Sequence, residues 1–227
     1  MVHIYTAADF KPRDLVFSAL EKNRQGGKQV FVSAVGNKSK IVIQTPAMHL
    51  PWGVSVYQDA STGTPQSWTL DLSFRDNEDF LKVVQEMDEV MLDVATQRSA
   101  EWFGKQMPRE LVAEFYRPLV RLANNPQYAP TLKIKVPASN GHELARFFDE
   151  EKNPVPLEYV TKNSKVKVIA ELSPVWFLNK QVGITWKAVQ VAVVERTRNF
   201  EDFAFRDDEE DKENATTTPT PTPYLEI

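Results

Sequence analysis

Residues 164–198 show a clear alternation of hydrophobic and polar positions. In residues 165–172 apolar side chains alternate with Lys165 and Lys167, and in residues 189–193 every second residue is valine. A period of two residues is typical of a half-buried β-strand. Pro174 and Gly183 lie between the two runs, which indicates a bend or bulge there. The pattern therefore predicts a long hairpin with an aromatic junction near its bend.

Shorter alternating segments predict further strands, which are separated by residues typical of turns. These strands are predicted at residues 28–35, 39–45, 54–58, 67–74, 131–136 and 144–149. Gly36 and Asn37 have the spacing of a hairpin turn between the first two of them. In the strand at 67–74, Trp68 shares one face with Leu70 and Leu72, which places its ring in the predicted core.

One long helix is predicted over residues 76–103, because apolar side chains recur there at the three- and four-residue spacing of a buried stripe. The stripe consists of Phe80, Val83, Val84, Met87, Val90, Met91, Val94 and Trp102. Asp76 has a side chain suited to the helix N-cap. Pro108 is suited to opening a shorter helix over residues 109–116.

Charge is distributed unevenly along the chain. The 227 residues carry a net charge of −4; residues 201–227 contain nine acids and two bases, a net of −7, which leaves +3 for residues 1–200. A Thr/Pro tract at 216–223 cannot bury enough apolar surface to fold. Acidic tails of this kind act as interaction arms or as competitors for a basic groove. The tail residues predicted to act in this way are Asp207, Asp208, Glu209, Glu210, Asp211 and Glu213.

Aromatic residues and lysines lie close together in the sequence at the junction of the long hairpin. Aromatic faces and lysines are what a sequence-tolerant binder of single-stranded nucleic acid uses. The candidate stacking residues are Trp176, Phe177 and Trp186, the candidate phosphate contacts are Lys165, Lys167, Lys180 and Lys187, and Trp52 and Tyr57 are further candidates. The same pattern is also that of an ordinary hairpin whose rings are buried.

Residues 155–195 contain a series of short motifs in a fixed order. The pieces are Val155-Pro156, Ser164-Lys165-Val166-Lys167-Val168, Leu172-Ser173-Pro174 with Trp176 and Phe177, Val182-Gly183, Lys187, and residues 191–195. In this order and spacing they resemble the C-terminal β-hairpin of the single-stranded DNA-binding proteins of T-odd podophages and of their relatives in the large nucleocytoplasmic DNA viruses. Lys165, Lys167 and Lys187 occupy positions that match the family pattern. Trp176 and Phe177 match only its region, and Trp186 has no aromatic counterpart in it and is also a candidate for the core.

The resemblance implies a mainly β fold of the α+β class, an OB-type five-stranded Greek-key barrel with one long inserted helix. The strand pattern alone also allows a sandwich. The predicted division is an N-terminal arm at residues 1–27, a DNA-binding domain at 28–200 and a flexible acidic tail at 201–227.

The function implied by the resemblance is non-sequence-specific coating of unpaired DNA during replication and recombination. The implied partners are single-stranded DNA, a second copy of the chain, and a DNA polymerase or helicase–primase that binds the tail. The implied setting is intracellular, in the nucleus or cytoplasm of a host, for a virus-encoded protein. The tail departs from the family pattern, because its acidic run is not terminal and the chain ends in Ile227 instead of an aromatic residue.

Enzymatic chemistry has little support in the sequence, so no catalytic residue, cofactor or metal is predicted. His3, His49 and His142 are scattered, and the chain has no glycine-rich phosphate loop, nucleophile elbow or HExxH motif. The absence of cysteine excludes a thiolate zinc site and agrees with a reducing compartment. No apolar run reaches membrane-spanning length.

Two non-enzymatic alternatives to DNA binding remain at this point. A virion structural protein of the minor capsid type can share a β-rich fold, and its basic charge would then be scattered. A protein-interaction adaptor can use residues 200–205, which hold three phenylalanines among acids, as a docking peptide. Neither alternative predicts binding to single-stranded DNA.

The acidic tail generates the first testable prediction. Deleting residues 207–227 removes seven acids. We expect the truncated protein to bind single-stranded DNA more tightly, because a tethered acidic run competes with phosphates for a basic groove. The gain should be largest at low salt, where screening is weak. The affinities of both proteins for one oligonucleotide are to be measured at two ionic strengths, and equal affinities at low salt would contradict competition.

Overall fold

Strands make up most of the regular structure in residues 3–36 and 39–197, which are the residues that the computed structural model describes. These residues belong to one unit, Met1–Thr197. The tail acids predicted to act in partner binding, Asp207 to Glu213, lie outside the described residues, so their role stays a prediction. The prediction of a mainly β chain with inserted helices is confirmed.

In the described residues, nine strands precede the three α-helices. They are β1 (Ile4–Thr6), β2 (Leu15–Phe17), β3 (Glu21–Lys22), β4 (Lys28–Val30), β5 (Val32–Ala34), β6 (Val42–Gln44), β7 (Met48–His49), β8 (Val54–Gln58) and β9 (Pro65–Ser73). Three α-helices follow, α1 (Glu78–Gln97), α2 (Ser99–Phe103) and α3 (Arg109–Phe115). Short 3-10 turns lie at Pro12–Asp14 and Leu157–Tyr159.

Up to residue 197, where the described part of the chain ends, ten strands follow the helices. They are β10 (Tyr116–Arg117), β11 (Val120–Arg121), β12 (Thr131–Ser139), β13 (His142–Glu143), β14 (Arg146–Phe148), β15 (Pro154–Val155), β16 (Lys165–Leu172), β17 (Val175–Leu178), β18 (Gln181–Gly183) and β19 (Trp186–Glu195).

Five of the strands pair in a closed circuit. β16 pairs with β7, β7 with β9, β9 with β12, β12 with β19, and β19 returns to β16. The β12–β19 pairing is parallel and the other four are antiparallel. The centre of the core lies on one face of these strands, where fully buried side chains meet across the pairings. Residues with no exposed surface there include Leu70, Ile134, Val166, Val168 and Val191.

The long hairpin predicted over residues 164–198 is present as the antiparallel pair β16–β19. Its register shifts twice, between Lys165 and Val166 and between Ile169 and Ala170, so one extra residue of β19 is accommodated at each place. The extra residues are Val194 and Val189, and each valine is 42% exposed. Bulges of this kind increase strand twist, which helps a sheet to curve back on itself.

The predicted hairpin between residues 28–35 and 39–45 is wrong. β5 pairs with β2, whereas β6 pairs with β1 and β16, so the two predicted strands have different neighbours. Both strands pair instead with partners that are more distant in sequence. Tertiary pairing can override a local turn preference in this way.

The predicted long helix is two helices, with a break at Arg98. Arg98 leaves the helical conformation, and its guanidinium donates hydrogen bonds to the carbonyl oxygens of Ser18 at 2.6 Å and Phe17 at 3.1 Å. The N-cap residue of α1 is Asn77, so the prediction of Asp76 at this position is wrong. No helix in the described part of the chain is long and apolar enough to cross a membrane.

The buried stripe of α1 packs on the core through Phe80, Val84, Met87 and Met91. On the same helix, the Asp88 carboxylate ties the chain after α3 to α1. It accepts hydrogen bonds from the Tyr116 hydroxyl at 2.6 Å and from the backbone N–H groups of residues 119 and 120 at 2.8 and 3.0 Å. Burial raises the pKa of the Asp88 carboxyl, although these three hydrogen bonds act in the opposite direction.

Asp88 therefore generates a stability prediction. Asp88→Ala should lower the free energy of unfolding by about 2–4 kcal/mol, because it leaves buried donors without an acceptor. Glu89→Ala is the matched control: Glu89 is 65% exposed and forms only a surface ion pair with Arg109, so its loss should cost less than about 1 kcal/mol. Denaturant unfolding of both variants measures these losses. Equal losses of unfolding free energy would contradict a stabilising role for the hydrogen bonds of Asp88.

Candidate nucleic-acid interface

The aromatic junction of the long hairpin forms a small hairpin of its own, β17–β18. Its strands meet through the pairing of Leu178 with Gln181, and Asn179 and Lys180 form the two-residue turn with φ angles of 50° and 66°. Two positive φ values are those of a type I′ turn, whose twist matches that of paired strands. The hairpin belongs to a second sheet with the order β10-β18-β17-β4-β3.

Trp176 on β17 is held in one orientation by its neighbours on the opposite strand. A Cβ atom on its cross-strand partner Gly183 would lie 2.6 Å from Trp176 Cζ2, so the ring covers this glycine closely. The Trp176 Nε1–H group donates a hydrogen bond to Thr185 Oγ1 at 3.0 Å. Thr185 is fixed in turn, since its backbone N–H donates to Ser173 Oγ at 3.0 Å. The half-buried ring is thus preorganised at the surface.

Three lysines surround this ring in a cleft of about 260 Å3, which we call the Trp176 cleft. Lys28 comes from β4, and Lys135 and Lys187 are cross-strand partners on β12 and β19. All three side chains are exposed, and none forms an ion pair within the described residues. No acidic residue from the described part of the chain lines the cleft. An aromatic face with cations beside it suits an unpaired base and its phosphates.

The structure separates the lysines that the sequence analysis grouped. Lys187 lies opposite Glu171 in the β16–β19 pairing, whereas Lys167 lies opposite Ala192. Lys167 is thus four residues along β16 from the position facing Lys187, or about 13 Å. Lys165 is farther still and is paired in register with Glu195 and His49. Only Lys187 of the predicted phosphate contacts lines the Trp176 cleft.

The other predicted site residues have different surroundings. Trp186 is 2% exposed and packs edge-on against Phe10, so neither face is open to a base. Phe177 packs edge-on against Trp102, with ring centroids 5.4 Å apart, and lines a second cleft. Lys180 is in the type I′ turn and lines the same second cleft.

The five tryptophans of the chain differ in how far their rings are exposed and in whether they lie beside lysines. Trp102 and Trp186 are buried, Trp68 is half-buried against the core, and Trp52 is 55% exposed on a loop away from both clefts. Among the tryptophans of the described residues, Trp176 is the one that combines partial exposure with a fixed orientation and neighbouring lysines.

Two lysines of the Trp176 cleft were missed from the sequence. Lys135 had a signal, because it alternates with apolar residues along β12 as Lys165 and Lys167 do along β16. Lys28 had none, since it reaches the cleft only through the pairing of β4 with β17. Within residues 3–36 and 39–197, no group of three or more His, Asp or Glu residues could hold a metal ion.

Residues 66–207 match the model of a family of unknown function, DUF5871. The chain belongs to this family. No curated protein matches the chain.

Solved structures show likenesses at low sequence identity. One is gp2.5, a single-stranded DNA-binding protein encoded by bacteriophage T7, with 14% identity over 73% of this chain and 98% of that one and a TM-score of 0.46. Another is the single-stranded DNA-binding protein from bacteriophage Enc34 in complex with single-stranded DNA, with 11% identity over 81% and 98% of the two chains and a TM-score of 0.46. A C-terminal truncation of the Enc34 protein has 12% identity over 84% and 100% and a TM-score of 0.45.

The close packing of Trp176 on Gly183 generates a prediction. Gly183→Ala should lower the free energy of unfolding by about 1–3 kcal/mol, because the added methyl group overlaps the ring. In a Trp176→Ala background the same replacement should cost about 0.5 kcal/mol or less, since the ring is absent. Denaturant unfolding of the two single variants and the double variant measures this coupling. Equal costs of Gly183→Ala in both backgrounds would contradict the described packing.

Proposed function

We propose that the protein binds single-stranded DNA with little base preference through the Trp176 cleft. The observation that carries this proposal is the preorganised, partly exposed ring of Trp176 beside three lysines without ion-pair partners in the described residues. A base stacks on the ring, and Lys28, Lys135 and Lys187 neutralise the adjoining phosphates. Stacking tolerates all four bases because each has a π-face.

Preorganisation favours this function energetically. Ordering a rotamer-rich side chain at an interface costs about 0.5–1.5 kcal/mol of binding free energy. Trp176 avoids much of that cost, because Gly183 and Thr185 already hold the ring. The exposed lysines carry their charge on long stems, which suits contacts to phosphates whose spacing varies along a flexible strand.

We further infer that the closed circuit of β7, β9, β12, β16 and β19 is a five-stranded barrel of the OB type. Such barrels bind oligonucleotides on one face and through their loops. The Trp176 cleft lies where β12 and β19 run parallel and where the β17–β18 hairpin leaves the circuit. The sequence resemblance of residues 155–195 covers this same region and supports a role in replication and recombination, in a virus-infected cell.

The partners beyond DNA are also proposals. The resemblance supports a homodimer and a polymerase or helicase–primase that binds the tail residues 207–213. The acidic composition of residues 201–227 supports such a contact, because an acidic arm suits a basic partner surface.

The stacking role of Trp176 can be tested against a matched tryptophan. Trp176→Ala should weaken binding to oligo-dT by about 1–3 kcal/mol, or roughly 5- to 150-fold, and leave thermal stability nearly unchanged. Trp52→Ala removes an exposed ring outside the cleft and should leave the affinity unchanged. Fluorescence anisotropy with labelled oligonucleotide and thermal unfolding supply both readouts.

The salt dependence of the same titrations tests the lysines. Three to five neutralised phosphates predict a slope of log affinity against log salt of about −2 to −4, and Lys187→Ala should reduce its magnitude by about 0.7. Duplex DNA of the same length should bind more weakly. Absence of oligo-dT binding at low salt would remove the proposal and favour a structural or adaptor protein.

A further inference from the structure

A second cleft lies on the other side of β17. Successive residues of a strand point to opposite faces, so Phe177 faces away from the Trp176 cleft. The Phe177 ring lines a cleft of about 460 Å3, which we call the Phe177 cleft. Two half-buried rings from the helical region, Phe103 and Phe115, form the opposite wall, with the Phe103 ring centroid 6.5 Å from that of Phe177 and 6.2 Å from that of Phe115.

The rim of the Phe177 cleft is basic. Lys28, Lys105 and Lys180 line it, and among the residues that the structure describes no acid does. None of these lysines forms an ion pair in residues 3–36 and 39–197. An apolar cleft with a cationic rim suits a flat aromatic group that carries negative charge on its attachment.

Trp102 also lines the cleft, although it is only 1% exposed. Its Nε1–H group has no hydrogen-bond partner among the described residues and almost no accessible surface, so a ligand in the cleft does not reach it. Trp102 therefore contributes only to the cleft wall, and the groups left for contact with a base are the phenylalanine rings and the lysines.

Lys28 joins the two clefts. It lines both of them, and its Nζ atom donates a hydrogen bond to the carbonyl oxygen of Trp102 at 3.1 Å. This bond positions the ammonium group between the clefts and leaves further N–H groups of the ammonium for a phosphate. A strand that contacts Lys28 can therefore direct one base toward Trp176 and another toward Phe177.

We propose that the Phe177 cleft is a second base-binding site for the same DNA strand, so that two bases lie on opposite sides of the β17–β18 hairpin. This inference rests on the proposed function and adds a path for the strand around the hairpin. The continuity through Lys28 favours DNA over the other occupant that fits such a cleft, an acidic peptide with aromatic residues.

The first experiment compares oligonucleotide lengths. Lys105→Glu reverses a charge that lines the Phe177 cleft alone, and Lys162→Glu makes the same change at an exposed lysine outside both clefts. For a twelve-residue oligo-dT at low salt, Lys105→Glu should weaken binding by about fivefold or more, since one phosphate contact is lost. For a trimer held in the Trp176 cleft both variants should bind like the unchanged protein, whereas Trp176→Ala should bind both lengths more weakly.

The second experiment locates the bases directly. Oligo-dT substituted with 5-iododeoxyuridine crosslinks on irradiation to aromatic residues that stack on it, and peptide mass spectrometry identifies them. Crosslinks at Trp176 and also at Phe177, Phe103 or Phe115 are expected. A synthetic peptide of residues 198–213 is added in a parallel titration as the acidic aromatic competitor.

Each outcome separates the two proposals. Crosslinks at Trp176 alone, with equal affinities of Lys105→Glu and Lys162→Glu for the long oligonucleotide, would overturn the second site and leave the proposed function standing. Peptide binding that is abolished by Lys105→Glu, without DNA crosslinks in the Phe177 cleft, would overturn it in favour of a peptide site. No binding of any oligonucleotide by the unchanged protein would remove both proposals.

Discussion

The pairing of β16 with β19 is the interaction on which the rest of the structure depends. It closes the circuit of five strands, because β16 contacts β7 on its other edge and β19 contacts β12. It also brings Leu172 opposite Trp186, which sets the two ends from which the β17–β18 hairpin leaves the circuit. The position of Trp176, and with it the part of each cleft that the residues of the β17–β18 hairpin line, follows from this register. Two bulges in β19 allow the pairing to curve without interrupting the buried face.

Burial divides the aromatic residues into those that stabilise the fold and those that remain available for binding. Trp102 and Trp186 contribute area to the core, and their faces are covered. Trp176 is held instead by one glycine beneath its ring and one threonine hydroxyl at its edge, which leaves part of the ring at the surface. A side chain held at its face and edge in this way is fixed in orientation while it stays partly exposed, and that combination suits stacking.

The net charge of the chain does not show where its basic residues cluster. The net charge is −4, and residues 1–200 carry only +3. Nevertheless, within residues 3–36 and 39–197 the two clefts together are lined by five lysines and no acidic residue. Nearby acids are engaged elsewhere: Glu171, across from Lys187, binds Lys40 at 2.8 Å, and Asp71 binds Lys133 at 3.4 Å. Local clustering therefore produces a basic surface on a chain that is acidic overall, and such a surface attracts phosphates at short range.

Periodicity in the sequence determined the elements, whereas the tertiary structure decided which residues meet. The alternation at 164–198 specified β16 and β19, and the apolar stripe specified α1, because a buried face imposes a period that can be read locally. The sequence also marked Trp176, Phe177, Lys180 and Lys187 as candidates. It did not show that Phe177 and Lys180 line a different cleft from Trp176, or that Trp186 is buried. Nor did it show that Lys28 and Lys135 line the Trp176 cleft. Those outcomes depend on pairings between strands distant in sequence, such as β4 with β17 and β12 with β19. Strand partners and register are set by the summed burial of the whole core, which no local pattern contains.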